Sequence, residues 1–216
     1  TPADQAEMYR ALNPAVDRLA LVIETVVDGV GADGGGSVYR AVVRNRAKLA
    51  YSGVGPWLEG KGAIPAAAGA VQGLADNLKL QDQAAQRLRA SRHEHGALEL
   101  ESLEVRARLE DDTVVGLTKE ERNRAKELIE DFMIASNGAI ARFLKAKNFP
   151  IMRRVVRSPE RWQRIVDIAV HLGDTLPAVA DAKALQEFLI RRRAADPLRF
   201  PDLSLAVIKL LGRGEY

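Results

Sequence analysis

The order of patterns along the 216-residue sequence predicts an α+β fold, in which a partial, mainly antiparallel sheet is packed by long helices. Residues 17–28 and 38–43 are rich in β-branched side chains and roughly alternate, which is typical of two paired strands. Residues 65–92 and 118–147 repeat apolar side chains at helical spacing. Because the strand patterns come early and the helical ones late, α+β is favoured over alternating βαβ units.

The first part of the chain, residues 1–117, is predicted to be β-rich and mixed. Glycines in the segment 32–37 predict a loop between the first two strands. A short element around Trp57 precedes the helix that Pro65 is expected to open. A second β region is predicted at 97–117.

The remaining part, residues 118–216, is predicted to be mainly helical. Thr118 and Glu121 form a capping box that should begin a helix ending near Lys147. Its predicted core face is formed by Ile129, Phe132, Ser136, Ile140 and Phe143. A short strand is predicted at 151–156, followed by a helix that Ser158 caps and Gly173 ends, and then by helices at 181–194 and 202–211.

Composition sets wide limits on function. The sequence has 32 Lys and Arg against 29 Asp and Glu, a net charge of +3, which permits RNA binding without requiring it. It has no cysteine, which excludes disulfides, thiolate zinc sites and a cysteine nucleophile and is compatible with a cytoplasmic location. No apolar run approaches the roughly 18 residues that span a bilayer, so no membrane partner is expected.

Local motifs for catalysis are weak. His93 and His95 stand two residues apart, which places them on different sides of a helix instead of together on a metal. Adjacent acids at Asp111 and Asp112 are more typical of a hairpin turn than of a metal site. Basic residues are grouped at 44–48, 153–157 and 191–193. In the first group Arg44, Arg46 and Lys48 alternate along one side of a stretch that ends at Tyr51, a combination that suits single-stranded nucleic acid; a solvated surface is the alternative for each group.

Five strings, in order along the chain, carry a resemblance to a known family. They are LNPAVDRLA at 12–20, AKLAY at 47–51, GALEL at 96–100, LIEDFMIASN at 128–137 and GEY at 214–216. Together they resemble the central part of the catalytic domain of ribonuclease II/R (RNB) family exoribonucleases. The resemblance implies 3′→5′ hydrolysis of single-stranded RNA to nucleoside monophosphates, with Mg²⁺ held by an aspartate cluster in the complete enzyme.

The resemblance also implies where chemistry is missing. Neither the family's D-x-D-D-A run nor its TSPIRRYPD segment occurs in the 216 residues. No catalytic or metal-binding residue is therefore expected in this segment, and the chain alone should be inactive. The remaining parts of the RNB domain, in the same protein or in a companion chain, are its expected partners.

Five residues are predicted to contact RNA. By resemblance, Tyr51 matches a tyrosine near the terminal nucleotides, and Glu130 matches a glutamate beside the terminal ribose. Helical periodicity places Glu130 and Asn137 next to the apolar face, where a carboxylate could accept a hydrogen bond from a 2′-hydroxyl. Arg46 and Lys48 are the predicted phosphate contacts. The alternative for Glu130 is a partly buried, paired acid.

Three other interpretations of the whole chain stay open. It could be a catalytically inactive RNA-binding or scaffold protein, or one piece of a split enzyme. It could also be a helical interaction domain without any role in nucleic-acid binding.

Overall fold

The protein has the predicted α+β fold. The structure, a computed structural model, describes residues 12–31, 33–100, 105–110, 113–119, 122–156 and 159–216. The chain forms two compact units, one from residues 1–89 and 122–151 and the other from 90–121 and 152–216. Each unit draws on the chain before and after residue 117.

In the first unit, strand β1 (Asp17–Val27) pairs antiparallel with strand β2 (Asp33–Arg44). The glycine-rich segment was predicted to be a loop, and from residue 33 onward this is wrong, since Gly36 pairs with Thr25 inside the ladder. A Cβ on Gly36 would collide with the carbonyl of Glu24, so glycine permits this close pairing. The chain reverses earlier, where Gly31 adopts a φ of 79°.

Four helices of the described residues belong wholly or mainly to this unit. They are α1 (Tyr51–Leu58), α2 (Ala66–Gly69), α3 (Leu74–Glu94) and α4 (Arg124–Ala146). The single helix predicted from Pro65 onward is interrupted, because Gly73 has a φ of 77° that a continuous right-handed helix cannot contain. The long helix therefore begins at Leu74.

Helix α4 begins later than the capping box predicts. Asn123 is its N-cap, and the side-chain oxygen of Asn123 accepts hydrogen bonds from the backbone N–H groups of Ala125 and Lys126. Thr118 instead lies in a strand opposite Arg106, so the prediction that Thr118 caps this helix is wrong. Glu121 lies outside the described residues.

Helix α4 packs against β1, β2 and α1. Its buried side chains are Ala125, Leu128, Asp131 and Ala139. The predicted core face is rotated from this one: Phe132, Ser136, Ile140 and Phe143 are partly buried, while Ile129 is exposed. The difference arises because a carboxylate, Asp131, occupies part of the buried side.

The described part of the second unit contains a hairpin of β3 (Val105–Glu110) and β4 (Thr113–Lys119). It also contains the helices α5 (Trp162–His171), α6 (Ala182–Ala195) and α7 (Phe200–Leu211). Its core contains Ile165, Leu185, Phe188, Leu189 and Val207.

Local predictions in this unit have mixed outcomes. The predicted β region is shorter at its start: residues 97–100 form no strand, and the Glu99 N–H donates to the Gln186 side chain at 2.8 Å. The strand predicted at 151–156 is reduced to one bridge between Val155 and Glu215. Helix α5 begins at Trp162, later than predicted, and Ser158 lies outside the described residues. The predicted end at Gly173 is confirmed by its φ of 74°.

Candidate nucleic-acid interface

The extended segment after β2 presents the two predicted phosphate contacts to solvent. Arg46 and Lys48 are exposed, whereas Asn45, Ala47 and Leu49 between and beside them are partly buried. The Asn45 side chain anchors the segment, since it donates to the Leu12 carbonyl at 2.7 Å and accepts from the Ala47 N–H at 3.1 Å. An anchored backbone with alternating exposure holds both cationic side chains on one side.

Arg44 does not extend this basic surface as the alternation predicted. Its guanidinium forms two hydrogen bonds with the Asp17 carboxylate, at 2.6 and 2.9 Å. This pairing raises the pKa of Arg44 above its ordinary value. Arg44 is thus joined to an acid, whereas Arg46 and Lys48 are exposed and stay the predicted phosphate contacts of this segment.

Tyr51 is the first residue of α1 and its side chain is half-exposed, at 48%. Its carbonyl oxygen accepts a hydrogen bond of 3.0 Å from the Asn123 side-chain amide. Asn123 is also the N-cap of α4. Tyr51, a predicted RNA contact on α1, therefore lies next to the beginning of α4, the helix that carries Glu130.

Helix α4 presents a mixed polar and apolar face to solvent. Glu130 and Asn137 are both exposed and lie seven residues apart, which is two turns or about 10 Å along the axis. Between them Met133 is 60% exposed and Ile134 is 40% exposed. A carboxylate and an amide flank an apolar patch here.

The acid of α4 that is buried and paired is Asp131. It is 2% exposed, and one carboxylate oxygen lies 3.2 Å from Nε of Arg89 on α3. Arg89 also contacts Glu127 at 2.8 Å. Burial alone would lower the pKa of Arg89, but the charges of Asp131 and Glu127 outweigh it and the pKa is raised. Glu130 itself is exposed, so the alternative of a partly buried, paired acid describes its neighbour instead.

Asn123 and the Arg89–Asp131 pair were not among the residues singled out from the sequence. Asn123 could have been found, since asparagine directly before a helical pattern is a common N-cap. Asp131 carries no local signal, because its partner lies 42 residues away in sequence.

The other basic groups differ from one another. In the second unit Arg191 forms two hydrogen bonds with Asp174, at 3.0 and 2.9 Å, and Arg192 donates to the Leu172 carbonyl. Arg193 lies 3.1 Å from Glu99. The group at 191–193 is therefore built into the packing of its unit. Arg153 and Arg154 are exposed, while Arg157 lies outside the described residues.

Among the residues that the structure describes, no group of three or more His, Asp or Glu side chains is arranged to hold a metal ion. His93 lies 3.9 Å from Glu99, and the His95 ring contacts the Ser91 carbonyl of its own helix. The pair Asp111 and Asp112 falls outside the described residues. None of the helices in the described ranges has the length and apolar character to cross a membrane.

The sequence and the fold of the chain have counterparts in one family. The family profile described as RNB domain matches residues 2–216. The chain belongs to the RNB domain family. Similar curated relatives are ribonuclease R of Vibrio cholerae serotype O1, 32% identical over 169 residues, and exoribonuclease 2 of Cronobacter sakazakii, 32% identical over 148 residues. These matches cover 76% and 68% of this chain but 20% and 22% of the relatives, so the chain spans about a fifth of their length.

Solved structures confirm the fold. RNase R of Mycoplasma genitalium in complex with ribose-methylated single-stranded RNA matches with a TM-score of 0.83 and 19% identity, over 94% of this chain and 32% of that one. The same enzyme in complex with double-stranded RNA matches with a TM-score of 0.82, over 94% of this chain and 36% of that one. The predicted membership of the ribonuclease II/R family is confirmed by the family profile and by the curated relatives.

Proposed function

We propose that this chain is a central segment of the catalytic domain of a 3′→5′ exoribonuclease and that it contributes part of the wall of an RNA channel. The observation that carries the proposal is that the five predicted RNA contacts are all exposed residues of the same unit. All five lie in the first unit, on the exposed sides of the segment before α1, of α1 itself and of α4. Membership of the RNB domain family supports the reaction class.

Each residue has chemistry that suits single-stranded RNA. Arg46 and Lys48 would neutralise backbone phosphates and release counterions. The half-exposed ring of Tyr51 offers a stacking surface for a base. Glu130 and Asn137 carry acceptors that could bind a 2′-hydroxyl, the group that distinguishes RNA from DNA.

The Mg²⁺ ions implied by the resemblance do not fit the residues described. The buried or partly buried carboxylates of Asp82, Asp131 and Asp174 each form ion pairs with arginine. We therefore place the metal ligands in other parts of the complete enzyme, and we propose no catalytic step in this segment. Magnesium-dependent release of nucleoside monophosphates by the purified 216-residue chain would contradict this proposal.

The partner proposed for the first unit is the remainder of an RNB domain, in the same protein or in a companion chain. Leu19, Leu21 and Val42 are exposed on one face of the β1–β2 hairpin, with Leu19 at 86%. Helix α4 already packs against both strands, and these exposed apolar side chains offer a further surface for packing against a partner. The short span of the chain relative to its relatives supports such a partner. A cytoplasmic location stays a prediction.

The proposal is tested by binding of a fluorescent single-stranded RNA to the 216-residue chain at two salt concentrations. Arg46→Ala/Lys48→Ala should weaken binding. It should also reduce the slope of the logarithm of affinity against the logarithm of salt concentration, by up to the amount expected for about two lost phosphate contacts. Arg164→Ala/Arg213→Ala is the control, since it removes the same charge from exposed positions elsewhere.

Equal losses in the two double variants would contradict the channel surface and favour a diffuse electrostatic attraction. Absence of binding and of RNA crosslinking would favour the helical interaction domain. Binding that never supports hydrolysis, even with the remaining RNB parts supplied, would favour an inactive RNA-binding or scaffold protein.

A further inference from the structure

The Asn123 side chain joins two helices at one point. Its amide nitrogen donates to the Tyr51 carbonyl at 3.0 Å, while its oxygen accepts from the N–H groups of Ala125 at 2.9 Å and Lys126 at 3.4 Å. The oxygen satisfies the beginning of α4 and the nitrogen holds the first residue of α1. Asparagine alone among the good N-cap residues carries both an acceptor and an N–H donor on one side chain.

Helix α1 is shaped to receive this side chain. Gly55, one turn after Tyr51, is buried, and a Cβ at this position would collide with the Asn123 amide group. Gly53 in the same helix differs, since a Cβ there would meet only the Pro65 ring, with its closest atom at 3.4 Å. The bare backbone at Gly55 therefore permits the close approach of Asn123.

The other end of α1 is tied to the same place. Glu59, the C-cap of α1, accepts a hydrogen bond from the Arg124 N–H at 3.2 Å. The hydrogen bond that Lys61 donates to the Glu59 carboxylate lowers the pKa of Glu59 most, and the hydrogen bond from the Arg124 N–H lowers it further. Because α1 contacts the first residues of α4 through both of its ends, its position and direction relative to α4 are defined.

Glu130 follows Asn123 by two helical turns and Asn137 follows by four, so all three lie on nearly the same side of α4. We propose that Asn123 is a positioning residue that holds Tyr51 at a defined distance from the Glu130–Asn137 face. The expected effect of Asn123 on RNA binding rests on the function proposed above. The expected effect of Asn123 on the distance between α1 and α4 does not.

Two substitutions separate this role from simple capping. Asn123→Asp keeps an N-cap of equal quality but replaces the N–H donor with an oxygen that faces the Tyr51 carbonyl. Gly55→Ala leaves Asn123 unchanged but fills the space it occupies. Gly53→Ala is the matched control, because it adds the same methyl group to the same helix without meeting Asn123.

The distance can be measured directly, since the sequence contains no cysteine. Spin labels on Ser52→Cys and Lys145→Cys, both exposed, report the separation of α1 and α4 by pulsed electron resonance. The distribution should be narrow in the parent and in Gly53→Ala, and displaced or broadened in Asn123→Asp and Gly55→Ala. An unchanged distribution in either of the latter variants would overturn the proposal.

Binding of single-stranded RNA to the same chains tests the consequence. Tyr51→Ala should weaken binding roughly 5- to 150-fold, the range for loss of one base stack. Asn123→Asp should weaken RNA binding less than Tyr51→Ala does. The double variant Asn123→Asp/Tyr51→Ala should bind RNA no more weakly than Tyr51→Ala alone. Additive losses would overturn the positioning role. Parental affinity in Tyr51→Ala would instead contradict the proposed RNA contact, while an altered distance in Asn123→Asp would still support the docking role.

Discussion

The guanidinium of Arg89 on α3 lies 3.2 Å from the buried carboxylate of Asp131 on α4. Seven residues earlier on each helix, Asp82 and Arg124 form a second pair at 2.7 Å with the signs reversed. The two pairs show that α3 and α4 run in the same direction. A slip of seven residues, or a reversal of one helix, would place acid against acid or base against base. Alternating charge therefore discriminates against other alignments of these helices.

Removal of the Asp131 carboxylate should destabilise the first unit. Asp131→Ala removes one of the two carboxylates that the partly buried Arg89 contacts among the described residues, so we expect a loss of about 2–4 kcal/mol in the free energy of unfolding by urea. Asp131→Asn keeps an acceptor and should lose less. Glu130→Ala, the exposed neighbour, is the control and should change stability by less than about 0.5 kcal/mol. Equal losses at positions 130 and 131 would contradict the described burial.

The turn before β2 should not tolerate a side chain at Gly31. Its φ of 79° disfavours other residues, and a Cβ would collide with the Arg87 carbonyl of α3. We expect Gly31→Ala to lose more than about 2 kcal/mol of stability. Gly73→Ala is matched in φ, at 77°, but has open space around the added methyl group, so it should lose only about 1 kcal/mol. Similar melting temperatures for the two variants would count against the contact with α3.

Glu130 should affect sugar preference more than stability. In the complete protein that carries this segment, Glu130→Ala should reduce the preference for RNA over DNA roughly tenfold, as expected for one lost hydrogen bond to a charged group. The melting temperature should stay unchanged because the side chain is exposed. Relative cleavage of RNA and DNA ends is the measurement, with Asp76→Ala, an exposed acid on α3, as the control. A destabilised Glu130→Ala protein with parental preference would leave only a structural role.

Stability of the second unit should depend on pH through Asp174. Hydrogen bonds from Arg191 and then from the Thr175 N–H lower the pKa of Asp174 in the folded protein. The ionised carboxylate of Asp174 therefore stabilises the folded state. This stabilisation is fully present above the unfolded-state pKa of about 3.9 and is lost as pH falls through the lower folded-state pKa. Because Arg191 is half-exposed, the contribution should be below about 1 kcal/mol.

The measurement is the difference in melting temperature between the parent and Asp174→Asn at several pH values. The difference should be largest near neutral pH and should vanish below the folded-state pKa. Asp202→Asn, an exposed acid on α7, corrects for the general effect of charge. A difference that persists unchanged at the lowest pH at which the protein remains folded would show that the ion pair is not the cause.

Elements with strong local signals were predicted well. The first strand, the end of α5 at Gly173 and the helix after Asp181 all lie within one or two residues of their predicted limits. In each case a period or a cap within the element itself carries the information. The candidate site residues stay predictions, although each of them is exposed as a contact with RNA requires: Arg46, Lys48, Tyr51, Glu130 and Asn137.

Boundaries failed where two local signals competed. Thr118 and Asn123 are both acceptable N-caps within six residues of one another, and pairing with Arg106 in the β3–β4 hairpin places Thr118 in a strand. The glycines at 34–36 are compatible with a loop or with a closely paired strand, and the partner, Thr25, decides between them. The local sequence does not decide between cap and strand at Thr118, or between loop and strand at 34–36, because pairing with a distant strand supplies the stabilisation that selects one of them.

Periodicity and ordered motifs are properties of the chain alone, and they were enough to predict the α+β class, the family and the residue types available for contact with RNA. Which acid of α4 is buried depends on contacts between helices. A helical period orders Glu130 and Asp131 around the axis but does not say what lies opposite each of them. Burial of a carboxylate costs much less where an opposite charge meets it. Arg89, on another helix, meets Asp131, whereas Glu130 faces solvent.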